Sequence, residues 1–222
     1  MSWAENIITF YKELDPPDSI EPVQWLHPQM DDKVLSIFSQ FYRKYFNDTY
    51  SRYLILGINP GRFGAGVTGV NFTAPKQLLE HCKIDHPFKN QSELSAEFIY
   101  KMILNYGGPE EFYSDYFIGS VCPLGFVLNG KNLNYYDSKE LYNKIEPFII
   151  QNLEKLLSFN VKKDVCFCIG EANNFKYLSS LNARMQWFEK IEVLPHPRFI
   201  MQYKRKKLEE YIQRYLILLK KK

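Results

Sequence analysis

The stretch Tyr53-Leu54-Ile55-Leu56-Gly57-Ile58-Asn59-Pro60-Gly61-Arg62-Phe63-Gly64-Ala65-Gly66-Val67-Thr68-Gly69-Val70-Asn71-Phe72 decides the fold class of this chain. Residues 53–58 form a short apolar run that predicts a buried strand, and a loop with four glycines and one proline follows at once. This glycine density indicates that the loop backbone closely approaches another group, such as a ligand or another segment of backbone. Ligands of α/β proteins bind beyond the carboxyl ends of parallel strands, so Asn59 is predicted to face a binding crevice.

Three further apolar segments, 116–121, 165–170 and 191–195, predict the remaining strands. Helical segments separate the four strands, and crossovers of this kind favour a parallel arrangement. The sequence therefore predicts an α/β fold: a three-layer α/β/α architecture with a central, mostly parallel four-stranded sheet. The loops after the first, second and fourth strands then share one edge of the sheet. They carry Asn59, Ser120 and His196, respectively.

The helices are predicted from apolar residues at helical spacing and from their boundary residues. One amphipathic helix stops before Pro16, and a second runs from Asp31 or Asp32 to about Asn47. Further helices begin near Pro75 and Ser92, after Ser138, around Phe175 and at Leu208. Pro147 is predicted to break its helix or to restart it at Phe148. The strand 116–121 runs into residues 122–126, and a loop is predicted over residues 129–133.

Length, charge and cysteine content narrow the class of protein. No linker divides the 222 residues, which predicts a single domain over residues 1–222. Lys and Arg exceed Asp and Glu by 28 to 25, and a net charge of +3 does not by itself diagnose nucleic-acid binding. The four cysteines lack C-x-x-C spacing, which indicates reduced, structural thiols and no metal site. Without a signal-peptide pattern or an apolar run of about 20 residues, we expect a cytoplasmic protein that does not contact a membrane.

The first loop resembles the first catalytic motif of the uracil-DNA glycosylase superfamily, in particular of its single-strand-selective monofunctional branch. That motif reads Gly-Met-Asn-Pro-Gly-Pro-Phe-Gly-Met-Ala-Gln-Thr-Gly-Val-Pro-Phe-Gly. Without a gap, it is matched by Gly57, Asn59, Pro60, Gly61, Phe63, Gly64, Thr68, Gly69, Val70 and Phe72. The chain departs from it at Ile58, Arg62, Ala65, Gly66, Val67, Asn71 and Thr73.

Three shorter segments extend the resemblance to roughly residues 50 to 205. His196-Pro197-Arg198-Phe199 resembles the second motif, His-Pro-Ser-Pro-Arg-Asn-Pro, with Arg198 in place of the family arginine after a two-residue deletion. Ser120-Val121-Cys122-Pro123-Leu124 resembles Asn-Leu-Cys-Pro-Leu, in which the asparagine reads the polar edge of uracil. Gly130-Lys131-Asn132-Leu133 resembles Gly-Arg-Asn-Leu, a loop that contacts DNA.

The resemblance implies a monofunctional DNA glycosylase of base excision repair that hydrolyses the N-glycosidic bond of uracil or related deaminated bases. It needs no cofactor and no metal, its partner is DNA, and we expect a monomer. Asn59 and His196 would be catalytic. The substrate-binding residues would be Ile58, Gly61, Phe63, Phe72 and Ser120, with Phe72 stacking on the extruded base. The DNA-binding residues would be Lys131, Asn132, Arg198, Phe199, Lys204 and Arg205.

These residue types suit the cleavage of a base from its sugar. An asparagine is not a general base, but its amide orients water without changing charge. Cleavage of the glycosidic bond builds negative charge on the departing base, so a donor aimed at the base oxygen, such as His196, stabilises the transition state. Ser120 stands where the family has asparagine, and a rotating hydroxyl makes fewer bonds than an amide. We therefore expect weaker discrimination among deaminated bases, with xanthine and hypoxanthine among the candidates.

Other interpretations of the same residues remain open. Asn59 could merely cap its loop, Phe72 could be core, and Lys204 to Lys207 could be a solvated helix start. Residues 64–69 satisfy G-x-G-x-x-G, although five residues separate them from the strand. Cys122 with His196 could form a thiol nucleophile pair, and a metal could bind at His81, Cys82 and His86. A nucleic-acid-binding protein that has kept the fold without the reaction is a further alternative.

Overall fold

The computed structural model describes residues 1–220, and across them the chain forms two sheets. The strands are β1 (Gln24–Leu26), β2 (Arg52–Gly57), β3 (Tyr116–Ser120), β4 (Gly125–Leu128), β5 (Lys131–Leu133), β6 (Val161–Ile169) and β7 (Lys190–Leu194). Four of them pair in parallel in the order β3-β2-β6-β7. The predicted central sheet is therefore confirmed. A second, antiparallel sheet with the order β1-β4-β5 was not predicted.

Helices cover both faces of the central sheet, as predicted. They are α1 (Trp3–Lys12), α2 (Asp32–Tyr45), α3 (Ala65–Thr68), α4 (Pro75–Glu80), α5 (Leu94–Tyr106), α6 (Pro109–Asp115), α7 (Lys139–Leu157), α8 (Asn173–Met185), α9 (Pro197–Tyr203) and α10 (Leu208–Lys220). Short 3-10 turns occupy Pro28–Met30 and Arg205–Lys207. The short helices α3, α6 and α9 were not predicted, because one or two turns are too short for a periodic pattern.

Alternation along β3 separates the two helical layers. The Phe117 ring lies 5.6 Å from the ring of Trp3 on α1 and 6.1 Å from that of Tyr42 on α2. Its neighbour Tyr116 points to the opposite face, where its hydroxyl donates to the Leu219 carbonyl on α10. Successive strand residues face opposite sides of a sheet, so a strand with large apolar residues on both sides is buried between two layers. One hydrophobic cluster extends from Trp3 to Leu219.

Two local predictions were wrong. Pro147 does not interrupt α7, because buried Ile145, Phe148 and Ile149 keep the apolar face continuous across it, and this packing offsets the lost backbone hydrogen bond. Residues 129–133, predicted to be a loop, instead form the turn and the second strand of the hairpin β4–β5. Asn129 and Gly130 form its turn with φ of 49° and 71°, the left-handed conformations that a two-residue hairpin turn requires.

The parallel register brings the strand ends of the central sheet to one edge. Gly57 at the end of β2 lies opposite Ser120 at the end of β3. Beyond the strands, the Val121 amide donates to the Gly57 carbonyl at 2.9 Å, and the Gly170 amide donates to the Leu194 carbonyl at 2.8 Å. The first bond joins the chain after β3 to the end of β2, and the second joins the chain after β6 to the end of β7. Asn59, Ser120 and His196 lie at or just beyond the carboxyl ends of β2, β3 and β7.

Candidate active site

A cavity of about 320 Å³ opens at this edge of the sheet. It has the size of a small-molecule site. Its walls are formed by Ile58, Asn59, Pro60, Gly61, Ala65, Asn71, Phe72, Glu93, Ser95, Ser120, Asn132, Asn134, His196 and Arg198. Both residues predicted to be catalytic, Asn59 and His196, therefore border one cavity.

The Asn59 side chain is held by the backbone that follows β5. Its Nδ2 donates to the Leu133 carbonyl at 3.2 Å, and its Oδ1 accepts from the Tyr135 amide at 3.2 Å. A backbone carbonyl only accepts and a backbone amide only donates, so these two bonds fix which end of the side chain is oxygen. Oδ1 has a second lone pair, which can accept a hydrogen bond from a water molecule.

The support of Asn59 extends to a third segment of the chain. Tyr135 is buried, and its hydroxyl donates to Oδ1 of Asn174 at 2.9 Å. The Nδ2 of Asn174 donates to the Ile169 carbonyl at 3.0 Å. This relay connects the loop after β5 to the end of β6. Asn59 thus rests on a buried hydrogen-bond network, which rigidifies the position of its amide.

His196 lies two residues beyond β7 and begins α9. Its Nδ1 accepts a hydrogen bond from the Arg198 amide at 3.2 Å, so the ring is neutral with its proton on Nε2. Burial lowers the pKa of His196 to about 4, and the positive charge of Arg198 adds to the decrease. The Tyr215 hydroxyl on α10 donates to the carbonyl of Pro195, the residue before His196. His196 is therefore a neutral donor over the whole physiological pH range.

Phe72 forms an aromatic wall of the cavity and packs against the end of β2. A Cβ placed on Gly57 would lie 2.8 Å from the Phe72 ring, so the ring can occupy this place only over a glycine. The backbone of Phe72 has a φ of +52°, an uncommon conformation for a large side chain. Such local strain is often found at binding sites.

Ser120 borders the cavity as predicted, and its hydroxyl already has a partner. Its Oγ donates to Oδ1 of Asn71 at 2.8 Å. Both side chains are buried, with 7% of Ser120 and 5% of Asn71 exposed. In the sequence, Asn71 was noted only as a departure from the family motif.

Glu93 is a cavity residue that the sequence did not reveal. It precedes α5, and burial raises the pKa of its carboxyl group. A hydrogen bond from Ser95 and the positive charge of Arg198 partly oppose this increase. A Cβ on Gly64 would lie 3.0 Å from Oε2 of Glu93, so the glycine-rich loop runs close beside the carboxylate. No motif marks the segment around Glu93, so its position follows from the tertiary structure alone.

Phe63, predicted to be a substrate-binding residue in the pocket wall, does not border the cavity. Its side chain is 44% exposed, and the Arg62 guanidinium lies 4.3 Å from the ring centre. The turn in which the Gly64 amide donates to the Gly61 carbonyl holds this residue on the outside of the loop. The predicted DNA-binding residues Asn132 and Arg198 do border the cavity.

The other predicted DNA-binding residues lie outside the cavity and are exposed. Lys131 is on β5, whereas Lys204 and Arg205 follow α9. Phe199 is 43% exposed and borders a smaller cleft on the far side of His196. Its ring lies 5.6 Å from the ring of Tyr203, which is 71% exposed. An aromatic and basic surface thus extends from the cavity along α9.

The rival interpretations find little support in the geometry. The Cys122 thiol is buried, which raises its pKa to about 12, so it is protonated near neutral pH. Among residues 1–220 no group of three metal-ligating side chains occurs, and all four cysteines are free and buried. His81 stacks on Tyr100 instead. The G-x-G-x-x-G segment forms only the single turn α3, too short to present a dinucleotide with a helix N-terminus.

Comparisons with known proteins show the family and the fold of the chain. The family model of the uracil DNA glycosylase superfamily matches residues 43–220. The crystal structure of wild-type Pedobacter heparinus SMUG2 is similar to the chain with a TM-score of 0.94 and 43% sequence identity. The match covers 99% of this chain and 97% of that one. Within residues 1–220, no helix combines the length and the apolar character that crossing a membrane requires.

Proposed function

The chain belongs to the uracil DNA glycosylase superfamily, and we propose that it is a monofunctional DNA glycosylase in base excision repair. It hydrolyses the N-glycosidic bond of uracil or related deaminated bases in DNA. The observation that carries the proposal is that an amide of fixed orientation, Asn59, and a neutral imidazole donor, His196, border the same cavity.

The cavity suits a base that has left the double helix or a single strand. An extruded base loses its stacking neighbours, and enzymes that act on bases replace them with aromatic or apolar side chains. Phe72 supplies such a ring at the wall of the cavity. The base would enter between the loop after β2 and the start of α9, with its oxygen towards His196.

The chemistry then needs a water molecule and a place for negative charge. Asn59 Oδ1 accepts a hydrogen bond from the water and directs a water lone pair to the sugar carbon. The His196 Nε2 proton is donated as a hydrogen bond to the base oxygen, where negative charge develops as the glycosidic bond breaks. His196 stays neutral before the reaction, because its Nδ1 is occupied by the Arg198 amide. No lysine is among the cavity residues of the described chain, so the proposal includes no Schiff-base step.

DNA would bind over the mouth of the cavity. Arg198 and Asn132 lie at the cavity itself, and exposed Lys131, Lys204 and Arg205 flank it on two sides. Basic side chains bind phosphates, and the Phe199 ring offers a surface on which a neighbouring base can stack. We further propose that residues 1–222 act as one monomeric domain in the cytoplasm, where buried free thiols such as those found here remain reduced.

The test is base release from oligonucleotides that carry uracil, xanthine or hypoxanthine, in single- and double-stranded form. The wild-type protein should release uracil, and Asn59→Ala should reduce kcat by about 100-fold or more. Asn182→Ala is the matched control: its amide also bridges backbone groups, accepting from and donating to Phe188 at 2.9 Å, but it lies outside the cavity.

The same experiment tests the main alternative, a DNA-binding protein without catalysis. The bonds of Asn59 to Leu133 and Tyr135 would also suit a purely structural side chain. If the wild-type protein binds the oligonucleotides but releases no base in either strand state, the alternative holds.

A further inference from the structure

Asn71 is a buried amide in the cavity wall that the proposed reaction does not use. It directly precedes Phe72, and its side chain borders the same cavity as Asn59 and His196. The Ser120 hydroxyl donates to its Oδ1 at 2.8 Å. The Tyr11 hydroxyl on α1, itself buried, also interacts with the Asn71 side chain. Asn71 is therefore held between two hydroxyl groups at the wall where an entering base would lie.

The hydrogen bonds of Asn71 leave part of its amide free for a ligand. A primary amide has two N–H donors and two carbonyl lone pairs. Ser120 uses one lone pair. Burial raises the pKa of Tyr11 to about 12, and the hydrogen bond with Asn71 partly opposes this increase, as an N–H donor does. Among the contacts made by residues 1–220, this leaves one N–H donor and one carbonyl lone pair of the Asn71 amide unused. A ligand that pairs with this buried donor and acceptor removes the cost of leaving them unpaired, which favours its binding.

Ser120 alone is poorly placed for reading a base. Its hydroxyl proton is committed to Asn71, so its oxygen can only accept further hydrogen bonds. Uracil, xanthine and hypoxanthine all present a ring N–H next to a carbonyl oxygen. An acceptor can pair with the ring N–H but not with the carbonyl. Recognition of the whole edge needs a donor and an acceptor together, which the Asn71 amide has.

We propose that Asn71 is the group that reads the polar edge of the base, and that Ser120 and Tyr11 are positioning residues that act through it. This inference rests on the proposed function and specifies how the substrate is chosen. The amide N–H pairs with the base carbonyl, and the amide oxygen accepts from the ring N–H. Cytosine presents an amino group and a ring lone pair at these two places, so donor would face donor and acceptor would face acceptor.

Asn71→Ala and Asn71→Asp test this assignment. Asn71→Ala should lower kcat/KM for uracil release by about 10- to 100-fold. Asn71→Asp keeps the shape and the bond from Ser120, but it cannot donate to the base carbonyl and can accept from the cytosine amino group. It should lower uracil release at least as much, and it should lower the ratio of uracil to cytosine release, which loss of folding alone would not do.

Abasic DNA and a second asparagine supply the controls. A residue that reads the base makes no contact with an abasic site, so Asn71→Ala should bind abasic DNA as the wild type does. Asn182→Ala removes an amide that bonds the Phe188 backbone at 2.9 Å outside the cavity, and should keep uracil release. Melting temperatures of all variants report folding directly.

The outcomes separate this inference from the function on which it rests. If the wild-type protein releases no base, the proposed function and the inference fall together. If the wild type is active and both Asn71 variants stay within threefold of it, with an unchanged ratio of uracil to cytosine release, the inference alone is overturned. Equal losses of base release and abasic-site binding in Asn71→Ala, with an unchanged base ratio in Asn71→Asp, would show a structural role and would overturn it too.

Discussion

The polar side chains at the two ends of strand β2 differ in burial and in how many of their hydrogen-bonding groups are already paired. At its amino end, Arg52 is fully buried and bound on every side: it donates to both oxygens of Asp48 at 2.7 Å and to the Tyr113 carbonyl at 2.7 Å. Its guanidinium also lies 4.9 Å from the Phe46 ring centre. Beyond the carboxyl end, Asn59 and His196 are only partly buried and border a cavity.

The difference shows how to separate structural from functional polar residues in this fold. The charge of Arg52 is paired and its donors bond to protein groups, so it has no hydrogen-bonding capacity left for a ligand. Asn59 keeps a free lone pair and His196 keeps its Nε2 proton, and both border solvent-accessible space. What distinguishes the two ends is whether hydrogen-bonding capacity remains where a ligand can reach it.

The largest effect on stability is expected at the amino end. Arg52→Leu leaves the Asp48 carboxylate and several carbonyls without their donor, and should lower the free energy of unfolding by about 3–5 kcal/mol. Arg184→Leu breaks an exposed pair with Glu146 of similar length, 2.9 Å, and should cost about 1 kcal/mol or less. Urea denaturation measures both. Similar losses of unfolding free energy in the two variants would show that the buried Arg52 pair is no more stabilising than an ordinary surface ion pair.

At the carboxyl end, changes should affect rate more than stability. His196→Ala removes the donor to the departing base and should lower kcat for uracil release by about 100- to 1,000-fold, while substrate binding changes much less. Single-turnover kinetics with excess enzyme measures the chemical step. If the melting temperature falls as far as in Arg52→Leu and the rate does not change, the two ends do not differ in the proposed way.

The pH dependence follows from the lowered pKa of His196. Because the folded pKa is about 4 rather than the usual 6.5, the neutral donor persists through pH 6.5, and kcat should show no inflection there from this residue. The free energy of unfolding, by contrast, does depend on pH in this range. Between pH 6.5 and 4 His196 is protonated in the unfolded chain but not in the folded one, so its contribution to stability is present above pH 6.5 and is lost as the pH falls towards 4. A rate profile with an inflection near 6.5 that disappears in His196→Ala would contradict the neutral-donor role.

The smallest effect is expected on the outer surface. Lys204→Ala with Arg205→Ala should weaken DNA binding and reduce the salt slope of log K by about 0.9 for each lost phosphate contact, without changing kcat at saturating DNA. The matched control is Lys163→Ala with Lys190→Ala, which removes two exposed lysines near the amino ends of the strands, on the opposite edge. Equal salt slopes in the two double variants would place the DNA elsewhere.

Local sequence patterns predicted the parts of this fold that local residues determine. The run before Asn59 was identified as a strand because its apolar residues are continuous, and the parallel sheet followed from the helices between the strands. The hairpin β4–β5 was missed even though Asn129-Gly130 is a strong turn signal, since the short strands show little alternation. The break predicted at Pro147 was wrong because the effect of a proline depends on how the whole helix packs.

The candidate site was predictable only where a motif marks it. Asn59, His196 and Ser120 were found through the resemblance and lie together as expected. The bonds that hold Asn59 join it to residues 74 and 76 positions later, and no local pattern encodes such distant pairs. Glu93 lies in a segment without any motif, and Asn71 stood out only because it breaks one. These residues became visible only once the chain was folded.

The contact between Tyr215 and the carbonyl of Pro195 bears on how the protein is made. During synthesis β2 and β3 leave the ribosome long before β7, and the helix α10 that secures the segment before His196 follows β7. A nascent chain therefore carries Asn59 while the histidine is still missing or not yet held in place. We expect base release to appear only after α10 has left the ribosome, so nascent chains that lack α10 should release no base.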